Sequence, residues 1–486
     1  MRQPAQASTS AGGFARLVAL LAAPVLLSCG GGGGDGGTVE LPQTVTLTAP
    51  ANLADGLAGT VTLTATAAAN AGIVAVEFQV DGAAAGAEDA NAPYSTTIDT
   101  NQWASGQHVL RARGRDAAGN RTAWSSAVVR FGGGRNVPAG FSLNEGWVTG
   151  LASAAAFAQA PDGRLFVAEQ GGNLRVVKNG VLLGSPFVSL TVDASGERGL
   201  IGVATHPNFA SNHFVYVYYT RINGGARNNR ISRFVATGDV VAGPETVIID
   251  LPDLSTFATN HNGGGMKFGP DGKLYVGVGD NGNGALAQNL GHPFGKMLRL
   301  NDDGSVPGDN PYANTQTGQG RFVWAYGLRN PFTFAIQPGT GRMHINDVGE
   351  QTWEEINLGA PGANYGWPAS EGPANVTTGV TAPLFAYGHD PAVPAGSGPG
   401  GFFIGQAIAG GAFYPTSGAG LFPAPYRGQY FFADFLDRFI GVLDTANGNA
   451  AYAFGSVSGR PVDMLVGSDG ALHVLTRDAI ARISPP

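Results

Sequence analysis

The chain has 486 residues, 76 of them glycine, with 13 % charged residues and a formal net charge of −7. That length suits more than one domain, and a glycine-rich, charge-poor composition suits short strands and tight turns, not helical bundles. The acidic balance excludes a nucleic-acid binder, which needs a concentrated basic face.

In chain order, the first element is an apolar run, Leu17 to Leu27, preceded by Arg2 and Arg16 and ending in Leu26-Leu27-Ser28-Cys29. The run is too short to span a bilayer as a mature helix and fits a secretory signal, here residues 1–28. LLSC resembles a bacterial lipoprotein box, which implies cleavage before Cys29 and lipidation of that residue, the only cysteine in the chain. A glycine at position 30 in place of aspartate points, for a Gram-negative host, to the cell envelope, lipid-anchored at the outer membrane and periplasm. The glycine-rich stretch 29–38 reads as a flexible tether.

Residues 39–131 follow as the first body. TVTLTAP, TVTLTATAA, VAVEFQVDG, YSTTIDT, HVLRARGRD and SSAVVRF alternate or are rich in β-branched residues, and turn dipeptides separate them. These strands predict a small immunoglobulin-like β-sandwich. It carries no cluster of acids, histidines or aromatics that would make a site, so a spacer or weak glycan-binding role is expected. GGGRNVPAG at 132–140 reads as a linker.

The second body, 141–486, repeats one unit: an apolar approach, a Pro/Asp/Gly turn, then a strand. The copies are QAPDGRLFVAE, ATHPNFASNHFVYVYY, KFGPDGKLYVGVGD, AIQPGTGRMHINDVG, PYRGQYFFADF and LVGSDGALHVLT. Strand-rich repeats of this period predict a β-propeller with one blade per copy, hence six blades. The whole chain is therefore expected to be all-β. In a propeller, loops remote in sequence converge at one end of the central channel.

Four loop segments carry polar residues that a packed blade does not need. They are SGERGL with Glu197, the HNGGG…GD segment with His261 and Asp280, LRNP with Arg329 and Asn330, and the acid- and glycine-rich stretch 346–368. Each has a structural explanation alone: a loop histidine satisfied locally, a turn-capping aspartate, a loop-locking Arg-Asn pair, a solvated Glu354-Glu355 pair. Together they supply a base, a carboxylate to orient it, an arginine-amide pair for a carbonyl group, and oxygen ligands for a hard cation.

The ordered motifs ERGLIGVATHPNF, HNGG…FGPDGKLYVGVGD, GKMLRLNDDGSVPGDNPY, YGLRNPF, EEINLGAPGANYGWP and GRPVDMLVGSDGALHVL resemble the soluble pyrroloquinoline quinone (PQQ)-dependent glucose/sorbosone dehydrogenases, also called aldose sugar dehydrogenases. The resemblance implies a six-bladed propeller that uses PQQ and Ca²⁺. It places the catalytic base on His261, its partner on Asp280, and the quinone-contacting pair on Arg329 and Asn330. It puts Ca²⁺-binding carbonyls near Gly349 and Glu350, and a second calcium at Glu355 and Tyr365. Arg460 matches a cofactor-carboxylate contact and Glu197 a sugar contact. The implied reaction oxidises the anomeric carbon of an aldose to a lactone, with an external electron acceptor as the other partner.

The chain also departs from the glucose-oxidising members. Gly265 stands where they keep an arginine, Val462 where they keep a cation, and GGAFYPTSG offers no evident lysine. Fewer charge-assisted contacts await a tricarboxylate cofactor, and glucose is not the expected substrate. The HNGG form also resembles hedgehog-interacting-protein-like propellers, which leaves a non-catalytic surface propeller for glycans or proteins as the alternative. A lactonase propeller would need a tight Glu/Asn/Asp metal cage that the motifs do not assemble.

Overall fold

The computed structural model describes residues 44–68, 72–132, 135–373, 377–390, 403–418, 420–446 and 448–485. Cys29 and the signal and tether segments lie outside them. Among the described residues no helix is long and apolar enough to cross a membrane.

The all-β expectation holds. The first eight strands make two sheets. One pairs Val45–Ala49, Thr60–Ala67 and Tyr94–Asp99; the other is built on Ile73–Val80, Gly106–Asp116 and Ser125–Phe131. Leu63, Val76, Phe78, Leu110, Val129 and Phe131 fill the space between them. All six strands expected in this body are present. The two short ones, Ala54–Leu57 and Ala83–Ala84, carry no alternation to read.

Six antiparallel sheets of four or five strands follow. Their first strands are Ala154–Gln159, Leu200–Thr205, Met266–Phe268, Pro331–Ile336, Ile408–Phe413 and Pro461–Val466. Each packs beside the next, and the sixth returns to the first, so the six strands stand in a ring. Ser142–Thr149 adds itself to the last sheet, pairing with Ala479–Ser484, so the two ends of this body are tied by backbone hydrogen bonds.

Every sequence repeat turns out to be the hairpin from a first strand to a second. The three Asp-Gly turns share one construction. Asp162, Asp271 and Asp469 each accept a backbone N–H two residues on, from Arg164, Lys273 and Ala471, all at 3.1 Å. Gly163, Gly272 and Gly470 follow at φ +89°, +72° and +76°, a region open to glycine. The second strands LFVAE, LYVGV, MHIND, YFFAD and LHVLT are buried at every position, because a neighbouring sheet covers both faces.

This hairpin geometry positions the site. The residue before a first strand and the residue after a second strand lie at the same end of their sheet. Six sheets in a ring therefore bring six such pairs of loop ends to one mouth.

The 132–140 segment differs from its reading as a plain linker. Val137 is buried, Ala139 N–H donates to the Gln102 carbonyl, and Ser456 N–H donates to the Asn136 carbonyl. Composition alone overlooked these contacts, since Asn, Pro and Gly form packed straps as readily as free ones.

Candidate functional site

His261 lies in the loop before Met266–Phe268, and Asp280 follows the paired strand Leu274–Val278. Their side chains meet: His261 Nδ1 is 2.7 Å from Asp280 Oδ1. Asp280 is held from three sides, since Oδ1 also accepts Gly282 N–H at 2.7 Å and Oδ2 accepts Trp367 Nε1–H at 2.8 Å. A carboxylate so placed makes Nδ1 the protonated nitrogen and leaves the Nε2 lone pair outward. Nε2 has no protein partner among the described residues, and the imidazole keeps 10 % of its surface open.

The His261 backbone adopts φ 55°, a left-handed conformation that costs on the order of 1–3 kcal/mol for a side-chain-bearing residue. Glu197 offsets this cost by accepting His261 N–H on Oε2 at 2.7 Å. The same oxygen receives Asn330 Nδ2–H at 3.4 Å, and Asn330 Oδ1 accepts Gly263 N–H at 3.0 Å. Three loops are thereby tied at one point. Arg198 secures the approach, donating to the carbonyls of Ser255 and Ala258 at 2.6 and 2.9 Å.

Asp347, at the end of Met343–Asp347, accepts the backbone N–H groups of Arg329 (3.0 Å) and Asn330 (2.7 Å). Arg329 reaches the Val348 carbonyl at 3.0 Å and lies over the Trp367 ring at 5.6 Å. Its Nε is buried without an acceptor, which leaves a donor for a group from outside the chain.

A cavity of about 340 Å³ opens beside these loops. Glu197, Asn330, Arg460 and Arg477 supply its polar wall; Ile201, Phe332, Val348, Ile408 and Phe435 supply flat apolar surface. His261 and Arg329 are not in the wall itself but are bonded to residues that are. A volume at the lower end of the small-molecule range suits one compact ligand. Gly265 has a local reason: a Cβ there would come 3.0 Å from the Phe332 carbonyl and 3.2 Å from the Phe334 ring. The neighbouring first strand occupies the room an arginine would need. Val462 is buried in the cavity wall.

Asp347, Glu355 and Glu371 border a second, much smaller cavity of about 10 Å³, together with Gly349, Tyr365 and Ser370. That is room on the order of one water-sized sphere. Burial, then the charge of Glu355, raises the Asp347 carboxyl well above its usual range. Burial also pushes Glu355 up to about 7, with Glu371 and Glu354 adding to it. Gathered carboxylates of this kind are relieved by protons or by a cation. Each already has donors: Asn357 Nδ2 and Gly372 N serve Glu355, and four N–H groups of residues 350–353 serve Glu371 Oε1. Among the described residues no three His, Cys, Asp or Glu side chains form a ready metal cluster. The Tyr365 hydroxyl is engaged with the Leu358 carbonyl and Ala360 N–H. Glu350 is exposed, and its N–H, like its neighbours', goes to Glu371. Glu354 is not a solvated acid but a buried one, 2.7 Å from His389.

Sequence reasoning overlooked three residues. Trp367 orients Asp280. Lys296, wholly buried, donates to the carbonyls of Leu286, Ala287 and Phe294 at 2.7–2.8 Å and so fixes the loop after Asp280. Burial pushes its ammonium down to about 7, against the pull of Asp280. Arg477 joins Arg460 in the cavity wall. It directly follows a second strand, the place held in its own repeat by Val348, which also lines the cavity, and one residue short of the place of Asp280 and Gly349 in theirs.

Known proteins resemble both bodies of the chain. A family model described as Glucose / Sorbosone dehydrogenase matches residues 151–484, and one described as a bacterial Ig domain matches residues 44–112. Aldose sugar dehydrogenase YliI of Escherichia coli is 28 % identical over 354 residues, which span 68 % of this chain and 89 % of that protein. The apo form of the soluble aldose sugar dehydrogenase from Escherichia coli aligns with TM-score 0.61 and 26 % identity, over 71 % of this chain and all of that one (100 %). The PQQ-bound aldose sugar dehydrogenase of Streptomyces coelicolor aligns with TM-score 0.55 and 28 % identity, over 72 % and 99 % of the two chains.

Proposed function

Because the chain belongs to the glucose/sorbosone dehydrogenase family, we propose that it is a PQQ- and Ca²⁺-dependent dehydrogenase oxidising the anomeric carbon of an aldose or related sugar to a lactone. The six sheets of residues 142–484 are read as the six blades, and the His261–Asp280 pair beside the open cavity is the observation that carries the proposal. When bound, PQQ supplies the acceptor for the hydride that leaves the sugar. His261 Nε2 takes the proton of the anomeric hydroxyl, and Asp280 stabilises the imidazolium that forms. Arg329 and Asn330 would hold the oxygens of the cofactor: Asn330 lines the cavity, and Arg329 stands beside it, bonded to the carbonyl of Val348 in the wall. Arg460 serves a carboxylate, and Glu197 holds both His261 and the substrate side of the cavity.

The test is direct. Purified protein incubated with PQQ and Ca²⁺ should reduce an artificial electron acceptor in the presence of one or more aldoses from a panel. A protein that takes up no PQQ, with thermal stability unchanged by the cofactor, sinks this reading and leaves a non-catalytic propeller as the alternative.

Calcium is assigned to the carbonyls of Gly349 and Glu350, where it would neutralise charge on the cofactor, and to the small cavity at Glu355 and Tyr365. Saturating a site to about 100 times its Kd stabilises a fold by about 2.7 kcal/mol. Calcium should therefore raise Tm by several degrees and a chelator should reverse the gain. Glu355→Gln should abolish the part of the response that the small cavity supplies, and a variant that keeps it all removes calcium from that cavity.

The same reading places the protein in the cell envelope, lipid-anchored through Cys29. Cys29→Ser should shift it from the membrane to the soluble fraction; continued membrane association would count against the anchor.

A further inference from the structure

We infer that Arg477 is a second anion-binding arm of the cavity and, with Arg460, grips a carboxylate of the cofactor. The inference rests on the cofactor reading above. Arg460 immediately precedes the first strand of the last sheet, and Arg477 immediately follows the second. Pro461 pairs with Thr476 in that hairpin, so the two arginines stand side by side at its end. Both line the 340 Å³ cavity.

Like charges set opposite each other on a hairpin repel, yet no carboxylate lies within ion-pair reach of either among the described residues. Arg460 is exposed, with its guanidinium over the Phe435 ring at 5.4 Å. Arg477 is half-buried, and its two contacts are neutral: the Ala154 carbonyl at 3.0 Å and Gln170 Oε1. Gln170 is itself fixed, donating to the carbonyls of Gly196 (2.6 Å) and Arg198 (2.8 Å), so it aims the guanidinium instead of neutralising it. Two of the five N–H donors of Arg477 are used, which leaves a fork for a planar anion. Half-buried charge with no counter-ion is costly unless a ligand brings one. Arg477 thus restores one of the cationic contacts missing at Gly265 and Val462, from a different corner of the same mouth.

The test is titration of calcium-supplemented apoprotein with PQQ, followed by cofactor absorbance and tryptophan fluorescence at low and high salt. Arg477→Gln should weaken binding about 10- to 100-fold, the range for a charge-assisted hydrogen bond. It should also flatten the salt dependence of Kd, because one screened charge contact is gone. Arg477→Lys keeps the charge, so its Kd should retain the wild-type salt dependence; it serves alone if Arg477→Gln does not fold, with a flattened slope overturning the proposal. Binding by Arg477→Gln within twofold of wild type overturns the Arg477 assignment and leaves the cofactor reading standing. Weaker binding with an unchanged salt slope also overturns it, since that marks a purely structural role. Failure of the wild-type protein to bind PQQ overturns the cofactor reading itself.

Discussion

Replacing His261 with alanine is expected to lower sugar oxidation by about 10²- to 10⁴-fold, the range supplied by a positioned general base, while PQQ affinity stays within a few-fold of wild type. The asymmetry follows from geometry. The imidazole spends Nδ1 on Asp280, and its Nε2 has no partner among the described residues. The cavity wall is formed by other residues, among them Glu197, Asn330 and Arg460. Removing the ring deletes the proton acceptor without deleting a wall. The loop should survive, because Glu197 holds the backbone N–H of residue 261 and not its side chain. Added imidazole should restore part of the rate to the alanine variant, which a mere packing defect would not allow. Asp280→Asn should lower turnover in the same direction, since an amide donor facing Nδ1 favours the other tautomer. Turnover by His261→Ala at the wild-type rate would remove the histidine from its role.

Much of this site was legible because the inner hairpins carry it. The Asp-Gly turn needs aspartate and glycine at fixed offsets, so three of the six copies repeat the same letters, and each of these marks a first and a second strand. Residues that flank those strands, His261, Asp280, Arg329 and Arg460, inherit their position from the repeat. The outer strands were harder to read. Ala226–Thr237 and Val240–Asp253 mix exposed and buried positions and share no turn signature with their counterparts. Lys296 was hidden for another reason: a lysine in a strand is normally solvated, and only the three carbonyls from a neighbouring loop make its burial tolerable. Trp367 and Glu371 act on Asp280 and on the 350–353 loop from segments distant in sequence, and no local pattern announces such contacts.

The docking of the N-terminal sandwich leads to the other large effect. Along Gly106–Asp116 successive side chains face opposite ways. Leu110 and Ala112 enter the core of the sandwich itself, whereas Val109 enters a separate cluster with Val442, Ala450, Tyr452 and Phe454 from the fifth sheet of the ring. Val128, paired directly with Val109, does the same. Gln107 Nε2 donates to the Ala451 carbonyl at 2.6 Å, and Arg111 lies 3.7 Å from Asp444 with both side chains nearly enclosed. Gly106 touches closely as well, since a Cβ there would come within 2.7 Å of Ala453 Cβ. The spacer expected from sequence is therefore packed against the fifth sheet of the ring. Val109→Asp places an unpaired carboxylate in that apolar seam, a change that costs several kcal/mol when the group cannot reach a partner, and it leaves the face carrying Leu110 intact. The sandwich should stay folded but come away. Calorimetry should then resolve two transitions where the parent shows one, and protease should cut quickly within 132–140, where Val137 and Ala139 lose their seats. PQQ affinity and turnover should be unchanged, because no residue of the seam lines the cavity. A single transition at the parent temperature, with 132–140 still protected, would mean that the seam contributes little. Two transitions accompanied by lost turnover would mean that the sandwich supports the site through the fifth sheet, whose first strand supplies Ile408 to the cavity wall.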